Sequence, residues 1–202
     1  MKRYIAVAGN IGSGKTSLVD FICKRYEVKP FFEPNDTNPY LEDFYADMRR
    51  FAFHSQIYFL THKFRLHREL ERYAGTVIQD RTIYEDAEIF AKNLRRSRYI
   101  DKRDWQTYRE LYETILRDLT PPDVMIFLRC SVRAVRQRIR KRGRSMEQSI
   151  PTSYLRKLDR LYDEWFERWD LSPVIEIRSD RLDYVTDLFH RLDLLKKIEK
   201  YL

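Results

Sequence analysis

Glycine is scarce in this chain, five residues in 202, and three of the five, Gly9, Gly12 and Gly14, crowd into one short stretch. No repeat, low-complexity tract or linker interrupts the sequence. The chain therefore reads as one domain, residues 1–202, with at most a small lid, and it is long enough to bury a core. Cysteine is scarcer still. Cys23 falls on an expected helix and Cys130 at an expected strand end, which suits neither a disulfide framework nor a metal site. No apolar run approaches the roughly 20 residues of a membrane-spanning helix. Met1-Lys2-Arg3 has the charge of an export signal, but the apolar stretch before Gly9 is too short to complete one. These absences point to a cytoplasmic chain with no membrane partner.

What is plentiful is positive charge, a net +8. The basic residues are spread out, apart from one cluster between Arg133 and Arg144. A solvated surface is the expectation for the chain as a whole rather than polynucleotide binding, and a small anionic substrate would account for the cluster. The three crowded glycines show what that anion is. Gly9, Asn10, Ile11, Gly12, Ser13, Gly14, Lys15 and Thr16 spell the G-x-x-x-x-G-K-[ST] phosphate loop. A short apolar strand, residues 4–8, precedes it, and an apolar-periodic helix opens at Ser17. Glycines let the backbone approach a phosphate closely. Successive N–H groups and the helix N-terminus then present partial positive charge to it. Lys15 is placed to reach the β- and γ-phosphates of ATP, Thr16 to offer its hydroxyl to Mg²⁺, and Ser17, next at the helix start, to join the ATP-binding residues.

Four further segments read as buried strands: 30–33, 76–80, 124–128 and 174–177. Helical patterns fill the gaps. Phe53, Ile57, Leu60 and Phe64 share one face, as do Leu158, Tyr162, Trp165 and Trp169, and Val185, Leu188, Phe189, Leu192 and Leu195 follow near the end. Alternating strands and helices predict an α/β fold with a five-stranded parallel sheet flanked by helices. Ligands of such sheets bind at the carboxyl ends of the strands. The second strand ends at Glu33, which is either a general base for a hydroxyl attacking the γ-phosphate or a surface carboxylate beside Pro34. The third ends at Asp80 and Arg81, the places for an acid near Mg²⁺ and a cation that neutralises phosphoryl charge, or else a surface ion pair. Asp86, farther along, either reads a polar ligand edge or pairs locally. After the fourth strand, Ser131 is a helix N-cap, and Arg138, Arg142 and Arg144 surround Gly143 in a segment suited to a lid over phosphates at about residues 138–150.

The set resembles the deoxyribonucleoside kinase family, most closely its bacterial deoxyadenosine/deoxyguanosine kinase branch. The resemblance runs from about Ile5 to Trp165. It is carried by the phosphate loop, Phe32-Glu33-Pro34, Asn38-Pro39-Tyr40-Leu41, Phe53 to Tyr58, Asp80 to Asp86, and Lys141 to Arg144 with Glu147-Gln148. It implies a P-loop kinase fold with a short arginine-rich lid. The implied reaction phosphorylates a deoxyribonucleoside 5′-hydroxyl at the expense of ATP and Mg²⁺, for nucleotide salvage. By resemblance, Glu33 takes the 5′-hydroxyl proton, Arg81 contacts that hydroxyl and the transferred phosphate, and Asp80 stands near Mg²⁺. Gln56 pairs with the base, Tyr45 and Glu147 hold the sugar 3′-hydroxyl, and Tyr45 crowds the 2′ position. Arg138, Arg142 and Arg144 match lid arginines, and Phe53 and Phe90 wall in the base. Lys63 and Asp86 match a polar base pocket that leans against thymidine, with Lys63 where many relatives carry Arg, and leave deoxyadenosine, deoxyguanosine and deoxycytidine open. The resemblance also implies a homodimer, for which the helices near 84–94 and 101–119 offer apolar faces. A thymidylate-type monophosphate kinase would share loop and lid, but Glu33 would repel its acceptor phosphate. A P-loop ATPase or regulator binding nucleic acid would need neither Gln56, Tyr45 nor Glu147.

Overall fold

The structure is a computed structural model and describes residues 3–32, 38–148, 150–180, 192 and 195–201. Its centre is a five-stranded sheet of β1 (Tyr4–Gly9), β2 (Lys29–Phe31), β3 (Val77–Asp80), β4 (Val124–Arg129) and β5 (Val174–Arg178). The order is β2-β3-β1-β4-β5 and every pairing is parallel, as the alternation of strands and helices predicts. The second strand starts one residue earlier than expected and stops at Phe31; Phe32 is already exposed.

Side chains alternate across the sheet, so each strand serves two cores. Val124, Ile126 and Leu128 join Ile5 and Val7 in one cluster, under α1 (Lys15–Cys23). Met125 and Phe127 face the other way, toward Leu60, Tyr108, Leu158, Tyr162 and Trp165. That second layer is made by α3 (Met48–Arg72), α6 (Lys102–Leu116) and α9 (Thr152–Phe166). Both faces of the central strands are covered, which is why they read as continuous apolar runs rather than alternating ones. The expected faces of α3 and α9 are the buried ones, with Leu60 and Leu158 fully inside. Trp169 lies past the end of α9 but still packs edge-on against Trp165, at 5.2 Å between ring centroids. Near the end of the chain, Leu195 is buried and Leu192 is exposed; Val185, Leu188 and Phe189 lie outside the described residues.

Three short stretches of chain set the site. Helix α2 (Leu41–Ala46) leads into α3 through Asp47, whose carboxylate caps α3 by accepting from Arg50 N–H. After β3 the chain makes one turn of helix, α4 (Ile83–Glu85), and widens into a π-helical segment, Asp86–Ala91, before α5 (Lys92–Arg96). The sequence predicts an ordinary helix there. Wide turns of this kind favour functional sites because they re-aim side chains without breaking the helix. Ser131 caps α7 (Val132–Arg142) as expected, and Gly143, at φ 74°, ends it in the left-handed conformation before α8 (Ser145–Gln148). Among the described residues, no helix is long and apolar enough to cross a membrane.

Candidate active site

The carboxyl ends of β1 and β3 open into a cavity of about 250 Å³. Its floor is the phosphate loop. Gly9 has φ 147°, and a Cβ there would stand 2.7 Å from the Leu128 carbonyl oxygen, so only glycine lets β1 pass β4 this closely as the loop begins. Lys15 folds back over the loop, its amine donating to the carbonyls of Gly9 (2.8 Å) and Asn10 (3.0 Å). Asn10 donates to the Leu155 carbonyl and accepts from Ile11 N–H, which ties the loop to α9. Thr16 donates to Asp80 Oδ2 at 2.5 Å, and Asp80 Oδ1 is buried with no hydrogen-bond partner. A hydroxyl and a carboxylate with an unused oxygen fit a hard divalent cation. Ser17 is exposed on the first turn of α1 and does not line the cavity.

The turn after β3 forms the adjoining wall. Arg81 has φ 63°, a left-handed conformation that costs a side-chain-bearing residue on the order of 1–3 kcal/mol and concentrates at functional sites. Two bonds hold it there. Its N–H donates to the Val7 carbonyl (3.0 Å), and the buried Lys63 amine donates to its carbonyl oxygen (2.7 Å). The guanidinium lies over the Phe90 ring at 4.6 Å. Lys63 thus stands behind the wall, supporting the strained turn, while Asp86 is on it.

Away from the loop, the cavity is lined by Gln56, Phe32, Phe44, Tyr45, Phe59, Phe90 and Tyr154. Gln56 is buried, with its Oε1 lacking a partner. Burial pushes the Tyr154 hydroxyl well above its ordinary pKa, so it remains a proton donor. Arg142 and Arg144 close the upper rim, and both pair with Glu147, Arg144 at 3.6 Å.

Most residues expected at the site therefore converge. Four stand elsewhere: Lys63, expected in the base pocket, supports the Arg81 turn from behind the wall, and three more lie away from the cavity. Phe53 is partly buried against the core cluster beneath the sheet and is not on the cavity wall; Phe59, six residues farther along α3, is. Ser17 is described above. Arg138 donates to the carbonyl of Ser13 at 2.7 Å and also to that of Ser179, so it braces the outer side of the loop rather than the rim. Glu33 lies outside the described residues. Sequence reasoning overlooked Tyr154, Phe59 and Phe44, which carry no motif of their own. It also overlooked Glu85, although Thr82-x-x-Glu85 is a legible capping box, and both halves of that box form.

A phosphate loop, a buried acid with an unused oxygen, a strained arginine and a rim of arginines above an aromatic slot define a nucleotide-dependent phosphotransferase of the P-loop type. Residues 5–202 match the deoxynucleoside kinase family. The chain is 38% identical to a deoxyadenosine/deoxycytidine kinase of Bacillus subtilis, over 91% of this chain and 85% of that one. A deoxyadenosine kinase of Lactobacillus acidophilus is 35% identical, over 100% and 97%. The solved deoxyadenosine kinase of M. mycoides with bound dATP superposes with a TM-score of 0.84 at 31% identity, covering 96% of this chain and 99% of that one. The chain belongs to the deoxynucleoside kinase family, and it is a kinase that phosphorylates deoxynucleosides.

Proposed function

We propose that the enzyme transfers the γ-phosphoryl group of ATP to the 5′-hydroxyl of a purine deoxyribonucleoside, with deoxycytidine the next substrate in rank, and that it serves nucleotide salvage in the cytoplasm. The observation that carries this reading is the single cavity that joins Lys15, Thr16, Asp80 and Arg81 at one end to Gln56, Asp86, Phe59 and Phe90 at the other. An amide and a carboxylate at an aromatic slot suit a base with both donors and acceptors on its edge. An adenine or guanine edge offers both.

In this mechanism the loop N–H groups and Lys15 hold the phosphates of ATP. Thr16 through its hydroxyl and Asp80 through water would hold Mg²⁺, which would supply charge neutralisation. Arg81 stabilises charge on the moving phosphoryl group, and Glu33 accepts the 5′-hydroxyl proton. Tyr45 and Glu147 hold the sugar, with Tyr45 against the 2′ position. Residues 138–150 form the lid, from which Arg142 and Arg144 reach the phosphates. Arg138, at the base of that segment, braces the phosphate loop through the Ser13 carbonyl. The molecule works as a homodimer, for which the exposed Leu111 on α6 supports an apolar face. Light scattering of the purified chain tests that state.

The deciding experiment is ADP formation with Mg·ATP across the four deoxynucleosides, adenosine, guanosine and dTMP. Deoxyadenosine and deoxyguanosine should turn over best, with ribonucleosides poor and dTMP inert. Thymidine as the best substrate would overturn the reading of the base slot. Turnover of dTMP alone would make the acceptor a monophosphate and remove Glu33 from the role of base.

A further inference from the structure

Glu85 has no place in the cavity wall, yet among the described residues it is the most completely buried carboxylate near it, with 0% of its side chain exposed. A carboxylate removed from water is costly unless donors replace the water. Glu85 has four. Oε1 accepts from Gly9 N–H (3.2 Å) and from the Tyr162 hydroxyl (2.8 Å). Oε2 accepts from Thr82 N–H (2.9 Å) and from the Thr82 hydroxyl (3.4 Å). Arg81 Nε stands 4.0 Å from Oε1.

The bonds to Thr82 are a capping box and need no other explanation. Those of Oε1 do. They reach residues 76 and 77 positions away in sequence, one at the first residue of the phosphate loop and one on α9, the helix that follows the lid. A helix cap requires neither. The capping carboxylates of Asp47 and Asp101 bond only next to their own helices and are exposed. Glu85 instead joins the start of the loop, the strained turn that carries Arg81, and α9. These are the three parts whose spacing fixes where the γ-phosphate sits relative to Arg81.

We propose that Glu85 is a positioning residue for phosphoryl transfer, a carboxylate clamp that sets the phosphate loop and the Arg81 turn at a fixed separation. The inference rests on the reaction proposed above. The clamp needs a carboxylate because all four partners are donors. An amide of the same shape would turn its NH₂ group toward one donor pair and release either the loop or the turn.

The test compares wild type with Glu85→Gln, Glu85→Ala and Tyr162→Phe. The readouts are steady-state kcat, KM for Mg·ATP and for the deoxynucleoside, Tm, and amide exchange of residues 9–16. Glu85→Gln should lower kcat by about 30- to 100-fold, the scale of an ångström of misplacement, with the nucleoside KM within about threefold of wild type. Exchange in the loop should rise. Tyr162→Phe leaves the loop and the turn still bridged, so its kcat should fall far less. The proposal is overturned if folded Glu85→Gln keeps kcat within about threefold of wild type, or if its whole loss falls on the nucleoside KM, as a merely structural or base-reading role would give. Should Glu85→Ala not fold, Glu85→Gln decides. A wild type that turns over no deoxynucleoside would strike the proposed reaction instead. Exchange in the loop would then decide the clamp, and unchanged exchange in Glu85→Gln would overturn it.

Discussion

The two ends of the cavity are built on opposite plans. At the phosphate end the charged side chains among the described residues are buried or half-buried and tied down. Arg81 and Glu85 are 10% and 0% exposed, Lys15 is bound to its own loop, and Arg138 and Lys63 brace the backbone from behind. At the rim, Arg142 and Arg144 are 37% and 48% exposed and share one partner, Glu147. Exposed pairs of this kind contribute about 0–1 kcal/mol, so they exchange partners at little cost. In the proposed mechanism the floor is thus pre-organised for charge that develops during transfer, and the rim gives up Glu147 to the sugar and its arginines to phosphate as ligands arrive. The strain at Arg81 belongs with the first plan, because only an over-determined surrounding holds a left-handed arginine in place.

The contrast can be broken most severely at the floor. Arg81→Ala should lower kcat by about 10³–10⁵, as for an arginine that stabilises a phosphoryl-transfer transition state, and single-turnover kinetics would read the loss. A loss under tenfold would make the strained turn a matter of folding alone. Glu33→Gln should lower kcat by about 10²–10⁴ and leave nucleoside binding largely intact, measured by kcat together with calorimetric affinity. A near-normal kcat would leave the proton to solvent. Farther from the phosphates the effects should shrink and move into binding. Gln56→Ala should raise the deoxynucleoside KM by about tenfold, the value of one to two hydrogen bonds, and spare the KM of ATP. Equal loss for both ligands would mean that α3 itself was disturbed.

The smallest effect concerns stability against pH. Burial raises the Glu85 carboxyl above the ordinary 4.5, opposed by the charges of Arg81 and Lys15. The folded chain therefore holds this proton more tightly than the unfolded one. The stability so contributed is fully present below about pH 4.5 and fades as pH rises through the folded value. Glu85→Gln has no such proton, so the Tm of wild type minus that of the variant should fall as pH rises above 4.5. An increase would mean that Arg81 and Lys15 outweigh burial.

Where local rules decide, the chain was legible. Strand and helix periods placed all five strands, and Gly9 to Thr16 announced both the anion and the end of the sheet where it binds. Asp80, Arg81, Asp86, Gln56, Tyr45, Arg142 and Arg144 were found because motif spacing, or resemblance, carries them to that end. Arg138 was read as a rim residue because it lies four positions before Arg142 on the same helix, but the Ser13 carbonyl lies within its reach and holds it below. Phe53 and Phe59 are equally aromatic, and only the rotation of α3 against the sheet selects one of them.

The sequence by itself determined the layer order, the phosphate loop and the chemical class of the ligand, because hydrophobic period and loop composition act over a few residues and need no distant partner. Tertiary structure alone decided the work of the buried polar groups. Lys63 serves the Arg81 turn from behind, the wide turn at Asp86–Ala91 re-aims the helix, and Glu85 spends two bonds on its own cap and two on residues more than 70 positions away. A buried charge settles on whichever donors the finished packing leaves unmatched, and those are known only once the chain has folded.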